Sequence, residues 1–312
     1  MTLTQLKYFL ALCESGTFAN AAELCHISQP TLSLQLKKLE TFVGAVLIDR
    51  SQSPIKPTPF GRVFAQQAQA VFGEVSKLEA LYEAESPNLE GALALGCIPT
   101  ISYYLLLPLI QYFKQHFPLL HVSIYELPTH ELLDRLESGF LDVAIMAGPI
   151  QSRHLYEQQL YFEPFVVLLN QSAQQNLSHE AEHSVIQVDA LESISLLMLG
   201  EEHCLRGQTQ SICRFKSTKK SKGTIECSSV AMMKSLVSAD IAAAILPQLC
   251  LSAADISLKL SNPNPGRVVS LVHRTNFHKT RTLDALTSAV LQIVPQSMQG
   301  KQELKIVGID HE

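Results

Sequence analysis

Two cysteines nine residues apart, Cys204 and Cys213, stand in the segment Glu201-Glu202-His203-Cys204-Leu205-Arg206-Gly207-Gln208-Thr209-Gln210-Ser211-Ile212-Cys213. Their chemistry is that of the thiolate, the form that attacks electrophiles and can be oxidised through sulfenic acid to a disulfide. His203 and Arg206 favour the anion at Cys204, whereas Glu201 and Glu202 oppose it. The remaining five of the seven cysteines are dispersed, and Cys13, Cys25 and Cys250 lie in apolar contexts that suit inert core thiols. No Cys-x-x-Cys pair or Cys/His cluster has zinc spacing, so no metal and no other cofactor is expected. The plainer reading of Cys204 and Cys213 is that they too are small core residues.

An odd, scattered cysteine set fits a reducing compartment. The N-terminus, MTLTQLKYFLALCESGTF, lacks the pattern of a cleaved leader, and a cytoplasmic location is expected. A length of 312 residues predicts two or three domains, and 46% hydrophobic with 17% charged residues predicts a globular chain. The longest apolar runs, near 103–110 and 241–251, are interrupted by Pro108 and Pro247 and fall short of the roughly 20 residues that span a bilayer. A net charge of −5 argues against a nucleic-acid coat, while leaving room for one small DNA-binding domain.

Residues 1–58 read as short helices. Leu3, Leu6, Phe9, Leu10 and Cys13 recur at helical spacing, and Thr17 caps a second helix in which Ala21 and Ala22 permit close packing. Ser28 is the expected cap of a third, from about Gln29 to Thr41, with Pro30 in its first turn and Leu32, Leu36 and Leu39 as its buried stripe. Residues 46–50 and 53–58 suit a small two-stranded wing, limited by Pro54, Pro57 and Pro59. Thr58-Pro59 then opens a helix reaching about Glu85. Its Phe64, Ala68, Val71, Val75, Leu78 and Tyr82 follow the 3.5-residue repeat of a coiled-coil seam, which predicts a dimer; packing on its own chain is the alternative. From Leu89 on, apolar runs at 92–98, 122–125, 143–146, 165–169, 194–198, 242–246 and 268–272 alternate with helical patterns. That alternation predicts an α/β sandwich with mostly parallel sheets. The expected class is thus α/β with an all-α winged head: 1–58 the head, 59–86 a linker helix, and 87–312 a two-lobed domain. Lobe I would take about 87–164 and 269–300, lobe II about 165–268, and the polar tail from Pro295 would be accessory.

The first 58 residues resemble the LysR-type transcriptional regulators. Leu6-Lys7-Tyr8-Phe9, Gly16-Thr17-Phe18, Ala21-Ala22, the run Ser28-Gln29-Pro30-Thr31-Leu32-Ser33-Leu34-Gln35-Leu36-Lys37-Lys38-Leu39-Glu40, and then Gly44, Leu47, Arg50, Pro57-Thr58 and Gly61 carry the likeness. It implies a winged helix-turn-helix, a linker-helix dimer and an effector domain resembling periplasmic binding proteins. Double-stranded promoter DNA and a second copy are the implied partners, with RNA polymerase a candidate further one. In a helix-turn-helix the second helix puts its N-terminal residues at base edges. Gln29, Pro30, Thr31 and Ser33 occupy that place, and Lys37, Lys38, Arg50 and Lys56 suit phosphates. Five Lys and Arg against four Asp and Glu over residues 1–58 is a weak balance for DNA. Useful affinity therefore requires two or more heads acting together, and the linker seam plus a second effector-domain interface predicts a homotetramer, a dimer of dimers.

His-Cys-Leu-Arg-x-Gln with a second cysteine nine residues on resembles the OxyR branch of that family, the hydrogen-peroxide sensors. Gly96-Cys97-Ile98-Pro99-Thr100, Thr129-His130-Glu131-Leu132-Leu133, Leu136-Glu137-Ser138-Gly139 with Leu141-Asp142, and Leu271-Val272-His273-Arg274 add to it. The resemblance implies an activator answering oxidative stress, with hydrogen peroxide as signal. It makes Cys204 the peroxide-reactive residue and Cys213 the resolving one. Thr100, Thr129, His130, His203, Arg206 and Arg274 become the expected peroxide pocket. If a helix joined the two cysteines they would stand about 13.5 Å apart along the axis. A disulfide needs Cα atoms within roughly 7 Å, so oxidation must dismantle residues 205–212. The chain departs from the branch at Thr224, where a histidine is expected. Ser238-Ala239-Asp240-Ile241-Ala242 replaces a glycine-rich turn, Cys97 and Cys227 are extra thiols, and Lys216, Lys219, Lys220 and Lys222 form a cluster. The competing function is a LysR-type regulator that senses a small anionic metabolite between the lobes. An enzyme is not expected, because a thiol peroxidase has no use for the head.

Overall fold

The computed structural model describes residues 1–86, 88–170, 185–213, 225–261, 264–300 and 305–307. Thr224 and the lysines at 216, 219, 220 and 222 lie outside them. The head is built from α1 (Leu3–Ser15), α2 (Phe18–Leu24) and α3 (Gln29–Val43). Each starts on a side-chain cap. Thr2 and Gln5 make a reciprocal capping box, Thr17 accepts from the Asn20 N–H, and Ser28 accepts from the Thr31 N–H at 3.3 Å. The capped helices bury Phe9, Leu12, Ala21, Leu32, Leu36 and Leu39 in one core. Gly16 ends α1 with φ 65°, and a Cβ there would stand 2.8 Å from that of Pro54, so the turn requires glycine twice over. The wing is shorter than expected, β1 (Ile48–Asp49) against β2 (Lys56–Pro57), because its prolines have no N–H to extend the ladder.

The linker α4 (Pro59–Glu85) is capped by Thr58, whose hydroxyl accepts from the Gly61 N–H at 2.9 Å. Its apolar positions do not form one seam. Phe64 and Ala68 pack on the head core of their own chain, whereas Val71, Leu78 and Tyr82 are exposed. Packing within the chain has taken the N-terminal part of the predicted stripe, and the C-terminal part has been left open. Farther along, the buried Ser76 hydroxyl accepts from the His278 N–H, and Glu79 pairs with Lys279 at 2.7 Å.

The effector part comprises β3 (Gly91–Cys97), α5 (Pro99–His116), β4 (Leu120–Glu126), α6 (Thr129–Glu137), β5 (Val143–Gly148), β6 (Leu155–Leu169), β7 (Val185–Gln187), β8 (Leu196–Leu199), α7 (Cys204–Cys213), β9 (Ile225–Cys227), α8 (Val230–Ser238), β10 (Ala243–Pro247), β11 (Ile256–Ser261), β12 (Pro265–Arg274), α9 (Thr280–Ile293) and β13 (Lys305–Ile306). Two apolar cores, one per lobe, flank the long strand β6. Its first ten residues pair with β12, and Phe165 onward pairs with β10 and β11. The outward crossing therefore falls at Pro164–Phe165, close to the sequence expectation. The return crossing comes slightly before the expected end of lobe II near 268: residues 268–272 already pair with β5 and β6, so the chain is back in lobe I at Pro265. Sheets are parallel within each lobe (β4-β3-β5 and β10-β8-β9), but the strands that link the lobes run antiparallel to their neighbours.

Two further corrections concern turns and tail. The residues from Pro295 are not merely accessory, since Met298 and Val307 are buried and β13 pairs with β12. In the altered turn after α8, Asp240 adopts φ 62°, the left-handed conformation open to glycine and tolerated by aspartate. Among the described residues, no helix is long and apolar enough to cross a membrane.

Candidate redox site and DNA-reading head

Cys204 and Cys213 are the first and last residues of α7, and both are free thiols. The helix holds itself down through Leu205, Gln208, Thr209 and Ile212, all buried. Its two ends face different surroundings. Cys204 packs against the lobe I core and Cys213 against the lobe II core. A regular helix of this length keeps them about 13.5 Å apart along the axis.

Cys204 sits in a cleft packed too tightly to admit a water-sized molecule, lined by Ile98, Pro99, Thr100, Pro128, Thr129, Glu202 and His203. The Thr129 hydroxyl is buried and has no hydrogen-bond partner of good geometry, so its polar capacity is directed at the sulfur beside it. Burial raises the Cys204 thiol above the ordinary range. The Arg267 charge, the Thr129 hydroxyl and the N–H groups of Cys204 and Leu205 at the helix start draw it back down. At the other end nothing opposes burial, and Cys213 is pushed up to about 11.

Arg267 is the residue that sequence reasoning missed. It lies on β12, is fully buried, and donates from Nη1 to Thr100 Oγ1 at 2.9 Å. Its Nε and Nη2 both donate to Glu163 Oε2, at 2.9 and 2.8 Å. Burial alone would lower its pKa, but the carboxylate of Glu163, with Tyr104, Cys250 and Cys204, carries it above the ordinary guanidinium range. A single cation inside Pro265-Gly-Arg-Val-Val-Ser-Leu-Val272 and a single acid inside Tyr161-Phe-Glu-Pro-Phe-Val-Val-Leu-Leu169 were the available signals. Opposite lone charges in two apolar strands point to a buried pair.

Of the expected pocket, Thr100, Thr129 and His203 meet at Cys204, and His130, Arg206 and Arg274 do not. His130 is exposed on the outer side of α6. Arg206 turns away to the Leu199 carbonyl at 3.1 Å and to Glu226 at 3.0 Å, because two residues of helix are about half a turn and carry it off the thiol's side. Arg274 donates to the Leu136 and Leu141 carbonyls at 2.6 and 2.5 Å, tying the end of α6 to β12. The other thiols have structural places. Cys97, Cys227 and Cys250 are buried, and Cys250 donates to the Thr100 carbonyl at 3.3 Å. Cys13 and Cys25 line the head core, and burial pushes Cys25 up to about 11.

In the head, Gln29, Pro30, Thr31, Lys37, Lys38, Arg50 and Lys56 are exposed and Ser33 is half-buried. Gln29 to Ser33 form the first turn of α3, where a groove-entering helix presents its residues. Arg50 has a second task. It pairs with Glu40 at 3.0 Å and lies over the Phe18 ring, and Glu40 in turn accepts from the Leu47 N–H, so this pair fastens the wing to α3. The head also touches lobe I. Glu14 accepts from Ser138 at 2.7 Å, and the Lys7 amine lies over the Phe140 ring.

A capped helix-turn-helix with a wing, a long linker helix and a two-lobed α/β domain together define a LysR-type transcriptional regulator. The chain belongs to that family: residues 3–62 match the bacterial regulatory helix-turn-helix protein, lysR family, and residues 87–294 match the LysR substrate binding domain. Within the family it is OxyR-like over nearly its whole length. It is 30% identical over 306 residues to a hydrogen peroxide-inducible genes activator of Haemophilus influenzae, covering 96% of this chain and 99% of that protein. It is 31% identical to the DNA-binding transcriptional dual regulator OxyR of Escherichia coli, covering 93% and 95%. Among solved structures, a full-length OxyR variant from Pseudomonas aeruginosa superposes with a TM-score of 0.74 at 31% identity, covering 97% of this chain and 99% of that one. A hydrogen-peroxide-bound OxyR variant from Corynebacterium glutamicum gives 0.60 at 28%, covering 94% and 92%.

Proposed function

We propose that this regulator is switched by hydrogen peroxide through Cys204. The observation that carries the reading is the pair of free thiols at opposite ends of one helix, the first beside a buried cation and an orphaned hydroxyl, the second in an apolar core. The Cys204 thiolate attacks one oxygen of the peroxide, the O–O bond breaks, and the other oxygen leaves as hydroxide, which takes up a proton to become water. Cys204 is then a sulfenic acid. Thr100 and Thr129 supply the polar lining that orients the oxidant, and Arg267 stabilises the anion. In the second step the Cys213 sulfur attacks the sulfenic sulfur; the S–OH bond breaks, a disulfide forms, and water leaves with the proton of Cys213.

The second step cannot proceed on the helix as it stands. α7 must unwind, and Leu205 and Ile212 must leave the lobe II core, at about 1.5–3 kcal/mol each. The covalent bond then holds a conformation that the reduced chain avoids, which makes α7 a two-state element. The rearranged effector domain turns its dimer partner and resets the spacing of the DNA-reading heads on promoter DNA. The exposed stripe of Val71, Leu78 and Tyr82 on α4 is the surface assigned to the dimer, with a second effector-domain contact completing a tetramer in the cytoplasm.

The metabolite alternative is disfavoured by charge. The buried Arg267 behind the cleft is paired with Glu163, and among the described residues lining Cys204 there is no lysine or arginine to receive an anionic ligand. Replacing Cys204 by Ser tests the reading: peroxide-dependent transcription should disappear, and its survival at the wild-type level would refute the redox mechanism.

A further inference from the structure

Behind the Thr100 side of the cleft lies a polar cluster drawn from both lobes. Glu163, on β6 one residue before the lobe crossing, is fully buried. Its Oε2 accepts from Arg267 Nε and Nη2 and from the Tyr104 hydroxyl at 3.1 Å. Its Oε1 accepts from the Leu249 N–H at 3.0 Å. Tyr104 in turn meets the Tyr161 hydroxyl at 2.5 Å. Both tyrosines are held well above their ordinary range by burial, with the Glu163 charge next, so they remain neutral hydroxyls. The guanidinium therefore stands between two sulfur-lined sides and one carboxylate: Cys204 and Thr100 at the cleft, Cys250 and Cys97 in the packing, and Glu163 behind. Lining the cleft with Cys204 are Thr100, Thr129 from α6, and His203 and Glu202 from its own segment, with Arg267 of β12 one hydrogen bond behind Thr100.

A buried cation acts on a neighbouring thiol through its net field, and a carboxylate in contact with it cancels most of that field. We propose that Glu163 is a positioning residue for Cys204 that acts through Arg267. Its carboxylate fixes the guanidinium against Thr100 and, by neutralising it, restrains the reactivity of the thiol. The inference rests on Cys204 being the reacting group of the switch. The cleft thus holds a sensor thiol whose activation is deliberately partial: the cation is present, but most of its pull is spent on the carboxylate behind it. Because the same carboxylate also bonds Leu249 of lobe II and Tyr104 of lobe I, the tuning is tied to the way the two lobes are joined.

Glu163→Gln removes the charge while leaving an oxygen to receive the guanidinium, and Glu163→Asp keeps the charge but withdraws it. The full-length protein and both variants are alkylated with iodoacetamide across a pH series, and the peptide bearing Cys204 is followed by mass spectrometry. E163Q should lower the midpoint by about one unit, a tenfold gain in thiolate below the midpoint. E163D should lower it by less. In a Arg267→Gln background, adding E163Q should leave the midpoint where R267Q alone puts it, because the effect passes through the guanidinium. Melting curves show which variants fold, and if E163Q does not, E163D against the unchanged protein carries the test. A midpoint that stays or rises in a folded variant overturns the proposal, as does an E163Q shift that persists without Arg267. Peroxide takes no part in this measurement, so failure of the redox mechanism itself would be registered separately, by the Cys204→Ser experiment.

Discussion

The two ends of α7 carry the same side chain in opposite settings. At Cys204 the helix start, a threonine hydroxyl and a buried guanidinium all work against the cost of ionising a buried thiol. At Cys213 only burial acts, and it pushes the thiol up to about 11. The difference shows how one helix can assign an order to two identical groups. Under the proposed switch, the end with polar support reacts while the helix is intact, and the end without it reacts only after leaving its core.

Removing the support at one end should have the largest effect. Arg267→Gln leaves the buried Glu163 without its cation, a loss of about 3–5 kcal/mol that melting curves would register. Alkylation of Cys204 near neutral pH should slow about tenfold or more, with Cys213 unchanged; equal slowing at both thiols would erase the contrast drawn above. Next comes the packing that keeps the ends apart. Ile212→Ala should destabilise the reduced helix by about 2–4 kcal/mol, since Ile212 is fully buried. The disulfide should then be favoured, its reduction potential falling by about 40 mV or more in a glutathione titration. A potential that does not move would mean that α7 stays folded in the oxidised form.

A smaller effect follows from pH. Cys213 is raised in the folded helix from an ordinary value of 9.0, so the unfolded thiol ionises first. The stabilisation from keeping it buried is complete below pH 9 and declines between 9 and about 11. Hydrogen exchange across residues 205–212 should accelerate over that interval, and Cys213→Ala should flatten the response. The smallest effect serves as the control. Ser28→Ala removes the cap of the DNA-reading helix, costs about 1 kcal/mol of head stability, and weakens DNA binding. Both alkylation rates should be untouched by it.

The head was legible because its determinants are local. Thr17, Ser28 and Thr58 cap helices in the structure as they do in the sequence reading, and the leucines at 32, 36 and 39 face the core that their spacing requires. The linker stripe was legible only in part, since spacing places Phe64 and Val71 on one face but does not say which neighbour takes each. Of the six residues expected around the thiol, Thr100, Thr129 and His203 line its cleft, and His130, Arg206 and Arg274 lie elsewhere. Proximity in sequence misled for Arg206, which half a helical turn carries to the far side.

By itself, then, the amino-acid order determined the helices and their caps, the regulator family and the two sulfurs, all of which depend on residues within a few turns of one another. Which cation serves Cys204 was decided by tertiary structure alone. Arg267 reaches Thr100 beside that thiol across the β12 and β6 pairing, held by Glu163 more than a hundred positions away. A buried charge needs a partner whatever the distance along the chain, and only the packed sheet brings that partner into reach.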